Sequence, residues 1–248
     1  MFDHGPGKFS NDILSALAED EYQRLLPNFR LVTFSPGQVL HENSQRLETI
    51  YFPITSVLSL VYTTESGPTA EIGVIGRDGM LGIALILGGN TMPHRAVTQI
   101  AGRAVAVRAN VIQNEFSHGS RLHQAILRYT QALLTQVSQT AVCNRLHSME
   151  QRLSRWLLLC QDRTCSPDLK LTQEFISQML GGRRESVTVA AGRLQDAGII
   201  QYARGHICIL DRSALETTAC ECYGVVKNEC SRLRPTLEKV NGRYLIQA

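Results

Sequence analysis

The chain contains no apolar run near the ~20 residues that a membrane-spanning helix needs. The longest candidates, Met80 to Leu87 with Gly82 inside it and Trp156 to Cys160, are far too short. Met1 to Asn11 lacks a basic stretch followed by an apolar block, so neither a membrane partner nor export is expected and the chain reads as cytoplasmic. A disulfide framework is also missing. The seven cysteines are odd in number and scattered through 248 residues, which suits reduced thiols. No large excess of one charge exists, since 25 Lys and Arg face 22 Asp and Glu for a net +3. That balance permits a nucleic-acid partner without requiring one. Nucleophile elbows, metal-ligand spacings and phosphate loops are absent, so the chain is not expected to be an enzyme. What remains is 44% hydrophobic and 19% charged, enough for a sizeable core, and its length suits two domains of about 100 to 200 residues.

The texture changes along the chain. Asn11 is placed to cap a short helix carrying Ile13, Leu14 and Leu17, and Pro27 closes this region. From Phe29 to about Val107, short β-prone stretches (Arg30 to Phe34, Ile50 to Tyr51, Val57 to Thr63, Glu71 to Ile75, Ala96 to Ile100, Ala104 to Arg108) alternate with turns such as Ser35-Pro36-Gly37 and Gly88-Gly89-Asn90. No long helices intervene to make crossovers, so an antiparallel sandwich or jelly roll is expected. From Ser120 to roughly Arg145 the apolar period becomes 3.6. One stripe reads Leu122, Ile126, Tyr129, Leu133 and Val137, and a second reads Leu127, Leu134 and Ala141. Such a helix can bury one face in its own domain and offer another to a second copy; a single wide face within a monomer is the alternative. The first stripe is taken as the dimer set. A further helix follows at Met149 to Gln161, then a loop at Thr164-Cys165-Ser166-Pro167-Asp168.

Leu171 to Leu210 is the most informative stretch. Thr172 can cap a helix bearing Phe175, Ile176, Met179 and Leu180, Gly181-Gly182 breaks it, and a second helix begins at Arg183 or Arg184. Val187, Ala190, Ala191 and Leu194 form its buried stripe, and at ~100° per residue Glu185, Thr188, Val189 and Gly192 must point outward. A helix-turn-helix lays the first turns of its second helix in the major groove. The residue types suit that task. Arg184 can donate twice to guanine, Glu185 can accept from cytosine, and Thr188 can meet a base or a thymine methyl. Thr172, Gln173 and Ser186 are placed for phosphates, with Arg183 beside them. Ile199 to Tyr202 and His206 to Leu210 flank Arg204-Gly205 as a hairpin, so Arg204 at its tip is a further phosphate candidate. Each of these polar residues alone is as well read as solvated surface; the helix-glycine-helix constellation is what points to DNA.

Residues 12 to 215 as a whole resemble the Crp/Fnr family of bacterial transcription regulators, and Leu171 to Val189 looks like that family's DNA-reading signature, with Arg184-Glu185 at its base-reading positions. The resemblance implies an α+β fold. Residues 1–118 would form a cyclic-nucleotide-binding-type β-roll, 119–147 a long dimerisation helix, and 148–248 a winged helix-turn-helix domain with a C-terminal helix. It implies a homodimer on a near-palindromic double-stranded DNA site and admits RNA polymerase as a partner. Val189 stands where cAMP-responsive members carry a second base-reading arginine, so their half-site does not transfer.

The effector side of the resemblance is incomplete. Gly79-Met80-Leu81-Gly82 is similar to the start of the family's phosphate cassette, yet Ile83 follows in place of the expected Glu, and Pro93-His94-Arg95-Ala96 puts Arg95 where a hydroxyl residue belongs. The ribose acceptor is missing and the cation is displaced by one. Gly79, Gly82, His94 and Arg95 are therefore a candidate pocket for some other anion or an empty one, and cAMP is not expected. An iron-sulfur cluster of the oxygen-sensing type is not expected either, because no cysteine precedes Cys143. No cofactor and no metal are assigned. Cys220, Cys222 and Cys230 are read as lying on one helix begun by a capping box at Ser213 to Glu216, on which Cys220 and Cys222 would point ~200° apart. Cys222 and Cys230 then belong to packing, and Cys220 is an exposed, oxidisable thiol. The rival to a DNA-binding regulator is a ligand-binding module whose helical part meets protein.

Overall fold

The computed structural model describes residues 9–164, 166, 168–234, 237–240 and 243–246, with the backbone alone for the last two segments. Asn11 caps α1 (Asp12–Ser15), its Oδ1 accepting from the Ile13 and Leu14 amides. Its Nδ2 donates to the carbonyls of Pro53 and Gly79, both at 2.9 Å, which ties the start of the chain to the β domain. Helix α2 (Glu19–Leu25) runs into a 3-10 turn at Leu26–Asn28 containing Pro27.

Seven strands follow: β1 (Arg30–Phe34), β2 (Val39–His41), β3 (Thr49–Pro53), β4 (Val57–Thr63), β5 (Thr69–Ile75), β6 (Arg95–Ile100) and β7 (Gly102–Arg108). They form two antiparallel sheets in the orders β1-β7-β3 and β2-β6-β4-β5. This is the jelly-roll-like arrangement that the evenly spaced strands imply. The helical remainder is α3 (Ala109–Ser117), α4 (Arg121–Leu146) and α5 (Met149–Thr164), then β8 (Asp168–Lys170), α6 (Gln173–Leu180), α7 (Arg184–Asp196), β9 (Ile200–Ala203), β10 (His206–Ile209), α8 (Arg212–Thr218), α9 (Glu221–Leu233), β11 (Leu237–Val240) and β12 (Arg243–Ile246). Strands β2 and β8, helix α3 and the β11–β12 hairpin carry no periodic signal long enough to be read from sequence. Of the loop expected at 164 to 168, Cys165 and Pro167 lie outside the described residues. No helix among the described residues is long and apolar enough to cross a membrane.

At 26 residues, α4 is ~39 Å long for 1.5 Å per residue. Its apolar stripes have different fates, and here the sequence reading needs correcting. Leu122, Ile126 and Tyr129 are buried in the chain's own β domain, and Leu133 packs against the same core. The Tyr129 hydroxyl donates to the Met80 carbonyl at 2.9 Å, and a Cβ at Gly79 would collide with its ring. Four of the five residues taken as the dimer set thus hold the helix to its own sheet, while Val137 is half-buried outside that core. The stripe left outward is the second, with Leu127 46% and Leu134 59% exposed. Periodicity reveals two stripes but not which one the β domain covers.

A second apolar core joins the two halves. Val57, Val61 and Val74 of β4 and β5 share it with Leu153, Trp156, Leu157 and Cys160 of α5 and with the helix-turn-helix. Polar contacts line its edge. The Trp156 Nε1 donates to Glu71 Oε1 at 2.8 Å, Gln99 Nε2 donates to Cys160 Sγ at 2.8 Å, and buried Arg163 pairs with Asp78 at 2.8 Å. Burial pushes the Glu71 carboxyl up to about 7, against hydrogen bonds and the charges of Arg155 and Arg163 that pull it down.

Candidate nucleic-acid interface

Local chemistry fixes the helix-turn-helix. The Thr172 side chain accepts from the Phe175 amide at 3.2 Å, capping α6, and Gly181 closes α6 in the left-handed region at φ 58°. Such a backbone angle favours glycine. Gly182 lies against the terminal methyl of Met149 at the start of α5, which a Cβ there would have to displace. The chain then turns into α7, with Arg183 as its N-cap. Val187, Ala190, Ala191 and Leu194 are buried on α5 and its neighbours, as their 3.6-residue spacing requires.

That anchoring directs the opposite side of α7 outward. Arg183, Arg184, Glu185, Ser186, Thr188 and Val189 are all exposed. Thr188 Oγ1 donates to Gln173 Oε1 at 3.0 Å and shares its proton with the Arg184 carbonyl at 3.0 Å, so it links α6 to α7 before any partner arrives. Val189 is 55% exposed, a large apolar side chain held in water on the same corner. It is absent from the set of contact residues drawn from sequence, although its outward direction was legible there.

The wing is a three-stranded antiparallel sheet in the order β8-β10-β9. Ala203 pairs with His206, leaving Arg204 and Gly205 as a two-residue loop with φ values of 50° and 80°. Two positive angles in a two-residue hairpin define a type I′ turn. The loop exposes Arg204. Burial holds the Tyr202 phenol, on β9, above its usual range. Gln195 Oε1 accepts from the Tyr202 amide at 2.9 Å, locking the wing onto the end of α7.

The candidate effector residues are engaged otherwise. Arg95 lays its guanidinium on Glu42, with Nε 2.9 Å from Oε2 and a second nitrogen 3.2 Å from Oε1. Gly82 sits at φ 113° against Ile50, and Gly79 makes room for Tyr129. Burial lowers the His94 imidazole below its usual range. These four residues therefore do not present a free cation and donors to one cavity.

The cysteines differ most from expectation. The cap of α8 is Asp211, which accepts from the Ala214 amide at 2.9 Å, and α8 ends at Thr218. Cys220 is not on a helix beside Cys222; it is the extended N-cap of α9, with ψ 164°. Its side chain is 4% exposed, not open to solvent. Cys143, His147, Cys220 and Cys222 bring their donor atoms within 4.8 Å of one another, a grouping that the sequence reading, which assigned no metal, did not contain. Burial raises the Cys222 thiol, while the hydrogen bond shared by Cys143 and Cys220 raises the first and lowers the second.

A β-roll, a long helix and a winged helix-turn-helix make up the architecture. Comparison makes this more specific: residues 151–218 match the Crp-like helix-turn-helix domain. No curated protein sequence matches the chain. Among solved structures, FixK2 from Bradyrhizobium japonicum is 14% identical with a TM-score of 0.65, covering 77% of this chain and 98% of its own. The c-di-GMP-responsive global regulator CLP from Xanthomonas campestris is 14% identical with a TM-score of 0.63, covering 77% and 99%. CooA from Carboxydothermus hydrogenoformans is 15% identical with a TM-score of 0.61, covering 85% and 97%. The chain thus shares the fold of these proteins and carries a Crp-like helix-turn-helix domain.

Proposed function

We propose that the chain is a sequence-specific DNA-binding transcription regulator that acts as a homodimer on a near-palindromic site without requiring cAMP. The observation carrying this reading is the corner of α7, where Arg184, Glu185, Thr188 and Val189 stand exposed on a helix whose other side is buried. Arg184 reads a guanine, Glu185 a cytosine, and Val189 is suited to a thymine methyl. Arg183, Ser186, Gln173, Thr172 and Arg204 contact phosphates and fix the register. The exposed stripe of Leu127 and Leu134 on α4 is the surface offered to the second copy, which sets two recognition helices about 34 Å apart. Independence from cAMP is supported by Ile83 in place of a ribose-binding carboxylate and by the commitment of Arg95 to Glu42.

The test is selection of bound duplexes from a random pool, followed by titration of the winner at several salt concentrations, with and without cAMP. The expected result is an inverted repeat with half-sites one turn apart, affinity falling steeply with salt, and no response to cAMP. A pool with no enriched repeat overturns the reading and favours a protein partner for the helical half.

A further inference from the structure

The C-terminal end of α4 and the N-terminal end of α9 meet at a cluster that DNA reading does not use. Cys143 lies in the last turn of α4 and His147 is its C-cap; Cys220 is the N-cap of α9 and Cys222 is in its first turn. Cys143, Cys220 and Cys222 are 0%, 4% and 1% exposed and form a small core of their own. Cys143 Sγ is 3.5 Å from Cys220 Sγ, and Cys222 Sγ is 3.6 Å from His147 Nδ1. With metal–sulfur bonds of about 2.3 Å and a metal–nitrogen bond of about 2.0 to 2.1 Å, corners of a tetrahedron lie roughly 3.5 to 3.8 Å apart. Both distances match that edge.

We propose that Cys143, His147, Cys220 and Cys222 form a tetrahedral site of three thiolates and one imidazole for a single divalent ion, and that the ion is zinc. Three further observations agree. The other imidazole nitrogen, His147 Nε2, lies 3.3 Å from Glu221 Oε1, the outer carboxylate that commonly orients a metal-bound histidine. Loading the site requires all three cysteines as thiolates, displaces any thiol protons to solvent and leaves the ion and its ligands with one net negative charge. Buried Arg155 and half-buried Arg152 lie beside Cys143 to offset it. Finally, four donors gathered this tightly surround one ion, not a multi-iron cluster whose ligands sit on different irons. Sulfur-rich tetrahedral donors favour zinc over magnesium, calcium or manganese.

The ligands bracket the chain between 147 and 220, which contains the whole helix-turn-helix and wing. Binding the ion pins α9 to the end of α4 and so fixes how the reading corner is carried. That consequence rests on the DNA-binding reading; the site itself does not.

The experiment uses the full chain, purified reduced, with metal content measured directly and the apo protein reloaded with cobalt(II). One ion per chain is expected, with the intense charge-transfer and d–d bands of tetrahedral thiolate-bound cobalt. Cys220→Ser and His147→Ala should lose or weaken the ion at least tenfold, and Cys208→Ser should bind as the parent does. If the first two variants fail to fold by circular dichroism, the stoichiometry and spectrum of the parent chain still decide. Fewer than one ion in ten chains with all thiols reduced, an octahedral cobalt spectrum, full binding by Cys220→Ser, or a Cys143–Cys220 disulfide in place of metal each overturns the proposal. Separately, chelation should weaken binding to the selected duplex several-fold. Loss of the ion without that change leaves the site standing and removes its link to DNA.

Discussion

On the β domain, Arg95 is ion-paired with Glu42 and donates one hydrogen bond to it, whereas at the start of α7 Arg184 stands exposed with no acidic partner among the described residues. Both were candidates for gripping a negatively charged or electron-rich partner. What separates them is what the rest of the fold leaves them to do. A guanidinium already satisfied by a carboxylate gains little from a second anion; one held out by a buried helix face has its full donor set to give. The same division runs through the whole molecule. At the seam between the halves Arg163 is buried and paired with Asp78, and the arginines on the corner and the wing tip are open.

The division can be broken or sharpened by substitution. The largest effect is expected at Arg163, whose guanidinium is buried against Asp78. Arg163→Ala strands that carboxylate and should lower unfolding free energy by about 3 to 5 kcal/mol in a denaturant titration. Next comes Glu71. Its carboxyl holds a proton in the folded chain up to about pH 7 and loses it near 4.5 when unfolded. The folded state therefore binds more protons between those values, and stability should fall as pH rises through that window, by about 3 kcal/mol at most. Glu71→Gln keeps an acceptor for Trp156 and should abolish the slope; an unchanged slope would mean that another group carries it.

A smaller effect is expected on the exposed stripe of α4. Leu134→Glu places like charges across the proposed dimer and should raise its dissociation constant roughly tenfold, about 1.4 kcal/mol, by sedimentation, with monomer stability unchanged. The smallest is at Arg95, whose partly exposed pair with Glu42 is worth below about 1 kcal/mol. Arg95→Ala should leave DNA affinity and its indifference to cAMP as they were; a change in either would reopen the β domain as an anion site.

Much of this was legible from residue order alone, and the omissions have physical causes. Strands β1 and β4 match their expected bounds because branched side chains and flanking turns mark both ends. The buried stripe of α7 follows from Val187, Ala190, Ala191 and Leu194, and its outward corner follows from that stripe. Covering of one α4 face by Met80 and its neighbours is a long-range choice that no local pattern contains. The thiol cluster was lost for a local reason: the helix was drawn through Ala219 and Cys220, where the chain breaks between α8 and α9. Two extended residues, Ala219 and Cys220, turn Cys220 back towards Cys222 and Cys143. The carboxylate that occupies Arg95 lies on a distant loop at Glu42, beyond any spacing rule.

The central claim is that α7 reads base identity through Arg184, and the most direct test compares duplex preference profiles of the parent chain and Arg184→Ala. The account predicts that preference is lost at one base pair in each half-site, that affinity for the best duplex falls by about 1 to 3 kcal/mol, and that the remaining positions keep their rank. A profile identical to that of the parent, or a uniform loss at every position, would contradict it.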